Sequence, residues 1–140
     1  MRQRLGTIHR AVGIAAIVFF FVTGQIMDRL DLGHMPVESA ARLLYRSRHI
    51  YLLFAALVNL AVGMRYIIPL SGQGSRFAVF GSVLMMLAPG ILAVAFFVEP
   101  PRLGQVSLVA DIGIFATYVG LLFYCASIWR LRIKESVVQG

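Results

Sequence analysis

The 140-residue sequence contains few charged residues and a single cysteine. Charged side chains make up 14% of the chain, whereas a soluble domain carries about 25%. This shortage excludes a soluble globular enzyme and a disordered, highly charged tail. Cys125 has no second cysteine with which to form an internal disulfide, so a disulfide-stapled secreted domain is excluded as well.

The sequence also lacks the short motifs that mark common catalytic and metal sites. It contains no Cys-x-x-Cys, no His-Glu-x-x-His, no phosphate-binding P-loop and no Gly-x-Ser-x-Gly. Only three histidines are present, and no pair of carboxylates lies within an apolar run, which argues against a multi-step proton pump. We therefore assign no catalytic and no metal-binding residue, and we favour a protein that is not an enzyme.

Long apolar runs dominate what is present. Hydrophobic residues make up 59% of the chain, and the mean hydropathy is +0.83. A transmembrane helix needs roughly 20 mainly apolar residues, and residues 8–27, 50–70, 77–98 and 106–129 meet this requirement. Because a helix satisfies its own backbone hydrogen bonds in lipid, the pattern predicts an all-α integral membrane protein. We expect one domain, a bundle of four transmembrane helices in up-down-up-down order.

The loop between the first two runs is the longest, and it is predicted to contain a short interfacial helix. Residues 37–45 follow Pro36 and mix Ala and Leu with Glu38 and Arg42, a pattern typical of a helix that lies along the membrane surface. The first apolar run is longer than the roughly 7–15 apolar residues of a secretory signal, so we interpret it as an uncleaved signal anchor.

Basic residues beside the apolar runs indicate the orientation. Eight of them flank the run ends on the side of the two termini, and five flank the opposite ends. Cytoplasmic loops carry an excess of Lys and Arg, so both termini are expected in the cytoplasm, with the chain in a bacterial-type inner membrane. The net charge of +7 is explained by this flanking pattern. The expected partners are therefore membrane lipids and other membrane chains or a second copy, and not nucleic acid.

One face of the first run carries small and polar residues at spacings of three, four and seven, namely His9, Gly13, Ala16, Thr23 and Met27. Close packing against another helix is the favoured interpretation, and a cofactor face is the alternative. His9-Arg10-x-x-Gly13, followed by Thr23-Gly24, resembles the helix-start and helix-end signature of PepSY-associated transmembrane helices over about 20 residues. Members of that family occur in membrane reductases that can bind haem b, so the resemblance implies a haem ligand at His9.

The second run places an amide deep in the membrane. Asn59 lies ten residues after His49, or about 15 Å along a helix. An amide at this depth is expected to face another helix and to form a hydrogen bond with it. Such bonds average about 0.6 kcal/mol in membrane proteins, so Asn59→Leu is expected to change stability only slightly.

Charged and polar residues gather at the outer side of the predicted bundle: His34, Arg42, Arg46, Arg48, His49, Glu99 and Asp111. Asp111 lies near the start of the fourth run, at the edge of the hydrocarbon. An unpaired charge there is costly, so we expect Asp111 to pair with Arg46, Arg48 or His49. An ion pair that anchors the fourth helix to the second is the favoured interpretation, and a ligand, substrate or proton site is the alternative.

The third and fourth runs contain residues that are expected to shape helix packing. Pro89 should kink the third helix. Met85 and Met86 are adjacent and point about 100° apart, so they are expected to pack in the core and not to share a metal ion. Ala116 and Gly120 form a small-x-x-x-small pair that predicts a close helix contact.

Three function classes remain open. The first is a small non-enzymatic accessory or assembly subunit of a larger membrane complex. The second is a b-type haem or quinone-linked redox protein with His49, His34 and His9 as candidate ligands. His9 and His49 begin their helices at opposite faces, about 30 Å apart, so only His34 and His49 could hold one iron. The third is a small membrane enzyme whose outer arginines hold a lipid-soluble substrate.

Overall fold

A computed structural model of the chain describes residues 2–29, 40–66, 73–99 and 107–138. These residues form four α-helices and no strand. The helices are α1 (Arg2–Arg29), α2 (Ala40–Met64), α3 (Gln73–Val98) and α4 (Leu108–Val138). The all-α class and the four apolar helices predicted from the sequence are confirmed.

Each helix is long and apolar enough to cross a membrane. The qualifying segments are Arg4–Arg29, Arg42–Met64, Ser75–Val98 and Leu108–Trp129. Large apolar side chains also point away from the bundle: Phe115 is 68% exposed and Leu122 is 69% exposed. Contiguous apolar surface of this kind suits contact with lipid or with another membrane chain.

The second helix lies earlier in the chain than the prediction of 50–70. It begins at Ala40, and residues 40–45, which were expected in a separate interfacial helix, form its first turns. The helix is continuous because neither proline nor glycine interrupts it before Gly63. It ends at Met64, directly after Gly63, a poor helix former. Residues 37–39 of the expected interfacial helix lie outside the described residues.

Glycines allow α1 and α2 to approach closely in antiparallel directions. A Cβ atom on Gly13 would lie 2.7 Å from Leu60 Cγ, and one on Gly63 would lie 2.8 Å from the backbone nitrogen of Arg10. Both distances are shorter than real carbon contacts. The small residues of the first predicted face therefore pack against α2, as the favoured interpretation expected.

Glycines also allow α3 and α4 to approach each other closely. Gly81 and Gly120 face each other, and a Cβ atom on Gly120 would lie 2.7 Å from the carbonyl oxygen of Gly81. Because the neighbouring atom belongs to the backbone, a Cβ atom at position 120 could be accommodated only if a whole helix moved. Gly120 therefore makes the close helix contact that the small-x-x-x-small pair predicted.

The two pairs meet through α2 and α3, whereas α1 and α4 do not pack against each other over the described residues. Leu52 and Leu92 lie in a buried cluster that joins α1, α2 and α3. Met85 and Tyr124 lie in a second cluster that joins α2, α3 and α4. The bundle is therefore centred on α2 and α3, with α1 and α4 on its flanks.

Candidate functional site

Three polar side chains from three helices and a fourth that follows α2 form one hydrogen-bonded group, which we call the His9 network. His9 Nδ1 lies 2.8 Å from Asn59 Oδ1, and His9 Nε2 shares a hydrogen bond with Ser82 Oγ. The hydroxyl of Tyr66, which follows α2, lies 2.8 Å from the same Ser82 oxygen. His9, Asn59 and Ser82 are completely buried. The network thus ties α1, α2 and α3 together in the interior of the bundle.

Asn59 also compensates for the proline in α3. Its Nδ2 group donates to the carbonyl of Met85 at 2.7 Å and to the carbonyl of Ala55, on its own helix, at 2.9 Å. Met85 lies four residues before Pro89, and proline has no N–H to donate to that carbonyl. The Asn59 side chain therefore satisfies a buried acceptor that the sequence of α3 leaves without its helical donor.

These bonds fix one direction in the His9 network. Both amide hydrogens of Asn59 are used, so its Oδ1 accepts a hydrogen bond from His9 Nδ1–H. His9 Nε2 is hydrogen-bonded to the Ser82 hydroxyl, which is also bonded to the Tyr66 hydroxyl. Both ring nitrogens of His9 are thus occupied. An iron could bind His9 only if the network opened, and the haem ligand implied at His9 stays a prediction.

Ser82, His9 and Asn59 are connected in the order of a serine nucleophile, a histidine base and an orienting amide. A nucleophile must also be reachable by its substrate. Ser82 is completely buried between helices, and its hydroxyl is already hydrogen-bonded to both Tyr66 and His9. The geometry therefore serves to hold helices together and does not form an accessible catalytic site.

His49 has a different environment at the other end of α1 and α2. The Thr23 hydroxyl donates to the carbonyl of Phe20 at 2.9 Å, so its oxygen accepts from His49 Nδ1–H, also at 2.9 Å. The imidazole stacks on the Phe20 ring with centroids 3.8 Å apart. A Cβ atom on Gly24 would lie 3.3 Å from His49 Cε1. Nε2 has no hydrogen-bond partner among the described residues.

The two histidines cannot bind the same ligand atom. His49 contacts α1 at Thr23, and fourteen residues of that helix separate Thr23 from His9. At 1.5 Å per residue this separation is about 21 Å. His34, the other candidate partner of His49, lies outside the described residues.

The outer polar residues form a buried ion pair, which we call the Arg48–Glu99 clamp. The guanidinium of Arg48 is 2% exposed; it donates to the backbone carbonyl of Glu99 at 2.6 Å and to Ser107 Oγ at 2.8 Å. It also lies 3.4 Å from the Glu99 carboxylate. That carboxylate accepts from the backbone nitrogens of Val109 at 2.6 Å and Ala110 at 3.3 Å. Glu99 thereby caps the first turn of α4, where a negative charge is favoured.

The other residues of the predicted outer cluster are not part of this clamp. Among the described residues, the side chain of Asp111 has no hydrogen-bond or ion-pair partner, and Arg48, one of its three expected partners, pairs with Glu99. Arg48 pairs with Glu99 and not with Asp111 because Glu99 immediately follows α3 and contacts both Arg48 and the free amides of α4. Arg46 is exposed, and His49 belongs to the separate group with Thr23.

Two pockets lie on the outer surface of the helices. An apolar groove of about 320 Å³ runs between α1 and α3, lined in part by Ala15, Ala16, Gly90 and Ala93. A Cβ atom on Gly90 would meet no other atom within 4 Å, so this groove is open. A second pocket of about 420 Å³ lies near the start of α3.

The described residues contain no group of three or more His, Cys, Asp or Glu side chains that could hold a metal ion. No family model, curated protein or solved structure matches the chain. The resemblance of the first helix to PepSY-associated helices therefore stays a prediction, and the functional argument depends on the geometry described above.

Proposed function

We propose that the protein is a small non-enzymatic subunit of a bacterial-type inner membrane, where it supports or assembles a larger membrane complex. The observation that supports this function is that the buried polar side chains of the described helices bond to one another or to the backbone, apart from the Nε atoms of Arg42 and Arg48. The His9 network ends at backbone carbonyls, and the Arg48–Glu99 clamp ends at the amides of α4. Polar chemistry inside the bundle is thus used to join helices, while large apolar surfaces face outward.

Charge supports the cytoplasmic position of both termini. Because successive helices are antiparallel, the start of α1, the end of α2, the start of α3 and the end of α4 share one end of the bundle. Eight basic residues and one acidic residue belong to this end, which gives +7, whereas five of each belong to the other end, which gives zero. The excess of Lys and Arg marks the cytoplasmic side, where anionic lipids are also concentrated.

Single cysteines at Gln3 and Gln139 test the orientation. The exposed native Cys125 is first replaced by alanine, so that only the introduced thiol reacts. Both positions should react with a membrane-impermeant maleimide only after the inner membrane is permeabilised. Reaction of both positions in spheroplasts with an intact inner membrane would overturn the orientation.

The subunit role is tested by the mass of the native assembly. The protein, tagged at its own chromosomal locus and extracted in a mild detergent, should elute with other membrane chains in fixed stoichiometry. The control is a mixture of tagged and untagged cells before extraction, which detects association formed only in detergent. A particle that contains this chain alone would contradict the subunit role.

His49 supports a second candidate, the b-type haem or quinone-linked redox protein. Ligating histidines usually present one nitrogen while the other donates to a fixed acceptor, and Thr23 fixes His49 in this way. A haem held there would supply one-electron chemistry and would need its second axial ligand from His34 or another chain. Under this candidate the purified protein has a Soret band that His49→Ala removes and His9→Ala retains. A membrane enzyme ranks third, because no accessible nucleophile–base pair exists among the described residues.

A further inference from the structure

The pocket at the start of α3 changes from polar to apolar with depth. Ser75 and Arg76 line it in the first turns of the helix, where the apolar span begins. Val79, Phe80 and Val83 line it deeper. These positions follow Arg76 by three, four and seven residues, so they lie on one face and reach about 10 Å further along the axis. A cation above an apolar strip matches the order of phosphate and acyl chain in a phospholipid.

Charge around the pocket favours an anionic occupant. The side chain of Arg76 is exposed and has no hydrogen-bond or ion-pair partner among the described residues. This differs from the neutral end of the bundle, where Glu99 balances the charge of Arg48. Eight of the nine charged residues that belong to the end with Arg76 are basic. The chain itself therefore supplies little negative charge to this region.

We infer that this pocket binds one anionic phospholipid of the cytoplasmic leaflet, with the phosphate against Arg76 and Ser75 and an acyl chain along Val79, Phe80 and Val83. The inference rests on the membrane-spanning part of the proposed function, its leaflet rests on the proposed orientation, and neither rests on the subunit role. The guanidinium supplies charge-assisted hydrogen bonds to phosphate oxygens, and the Ser75 hydroxyl can donate one more. Phe80, which is 53% exposed, is the largest of these three apolar side chains and therefore offers the acyl chain the most surface.

Native mass spectrometry of the full-length protein in detergent measures the binding. Phosphatidylglycerol should bind in a one-to-one complex, more tightly than phosphatidylcholine with the same acyl chains. Arg76→Gln should weaken phosphatidylglycerol binding about five-fold, the usual contribution of one basic residue near an anionic surface. Arg65→Gln is the matched control, because Arg65 is an exposed cation at the same end that does not line the pocket. It should change the affinity less than two-fold.

The apolar half of the site has its own pair of variants. Phe80→Ala should weaken phosphatidylglycerol binding, whereas Phe115→Ala, which removes an exposed ring on α4, should not. Circular dichroism confirms that each variant keeps its helical content. Glycerol 3-phosphate, which has the anion without acyl chains, should fail to compete at the concentrations where phosphatidylglycerol binds.

Several results would overturn the inference. Equal binding of phosphatidylcholine, or an equal effect of Arg65→Gln and Arg76→Gln, would show that the pocket does not select an anionic headgroup. Effective competition by glycerol 3-phosphate would indicate a site for free anions. If the protein inserts into vesicles but shows neither the preference for phosphatidylglycerol nor the selective effect of Arg76→Gln, the lipid site is refuted and the membrane-spanning part of the proposed function is retained. If it does not insert, the membrane-spanning part of the proposed function fails with it.

Discussion

Replacing Asn59 by leucine tests why an amide is fully buried in the bundle. Asn59 Nδ2 donates to the Met85 carbonyl at 2.7 Å, and Asn59 Oδ1 accepts from His9 at 2.8 Å. Leucine removes both bonds and leaves a buried acceptor on Met85 and a buried donor on His9. An unpaired buried group costs about 1–3 kcal/mol in soluble proteins, and an interhelical bond in membranes averages about 0.6 kcal/mol and reaches about 1.7. For two groups we expect a loss of about 1–3 kcal/mol, which exceeds the slight change expected from the sequence.

The variant Pro89→Ala provides a control for the prediction on Asn59→Leu. Alanine at position 89 restores the backbone N–H that bonds the Met85 carbonyl. In the Pro89→Ala background, Asn59→Leu should therefore cost about 1 kcal/mol less than in the native chain. Leu57→Ala provides the comparison, because Leu57 lies on α2 and is 51% exposed. Its effect should be the same in both backgrounds.

The assay is the free energy of unfolding in detergent, measured by titration with a denaturing detergent and followed by circular dichroism. The four proteins of the cycle are compared at one micelle concentration, so that differences between them are meaningful. If Asn59→Leu costs the same with proline and with alanine at position 89, the Asn59 side chain does not substitute for the missing backbone donor. If Asn59→Leu lowers the free energy of unfolding of the native chain by less than about 0.5 kcal/mol, the His9 network as a whole does not stabilise the bundle.

Two further matched pairs test the packing and the clamp by thermal unfolding in detergent. Gly120→Ala should destabilise by about 1–3 kcal/mol because the new carbon meets the Gly81 carbonyl at 2.7 Å, whereas Gly90→Ala, which enters open space, should be neutral or stabilise by up to about 1 kcal/mol. Equal effects would contradict the close approach of α3 and α4. Arg48→Gln should lower stability by about 1.5–3 kcal/mol, and the exposed Arg46→Gln by less than about 0.5. A neutral Arg48→Gln would show that the clamp does not hold α2 to the α3–α4 connection.

The number and type of helices could be predicted because they depend on local properties of the sequence. Runs of about 20 apolar residues must be helical in lipid, whatever they pack against. The start of α2 could not be predicted in this way, because hydropathy detects the apolar part of a helix and not its charged extension. Residues 40–49 contain good helix formers, so the helix continues beyond the apolar run.

The site could be predicted only in part, because one sequence does not give the register between helices. Depth and periodicity correctly placed Asn59 in the interior, facing another helix. They did not pair it with His9, nor add Ser82 and Tyr66. One signal was present: a proline within an apolar helix leaves a carbonyl four residues earlier without a donor. Pro89 thus indicated that a polar side chain of another helix should lie near Met85.

The two ends of the bundle differ in how their charges are balanced, and this difference bears on where the protein acts. At the neutral end, Arg48 is buried and meets its opposite charge in Glu99 of the same chain. At the basic end, Arg65 and Arg76 are exposed, and neither side chain has a hydrogen-bond or ion-pair partner in the described part of the chain. An exposed cation at a membrane edge gains stabilisation from phosphate groups that water alone does not provide. The contacts that this protein makes outside itself through charge are therefore expected at the end that carries both termini.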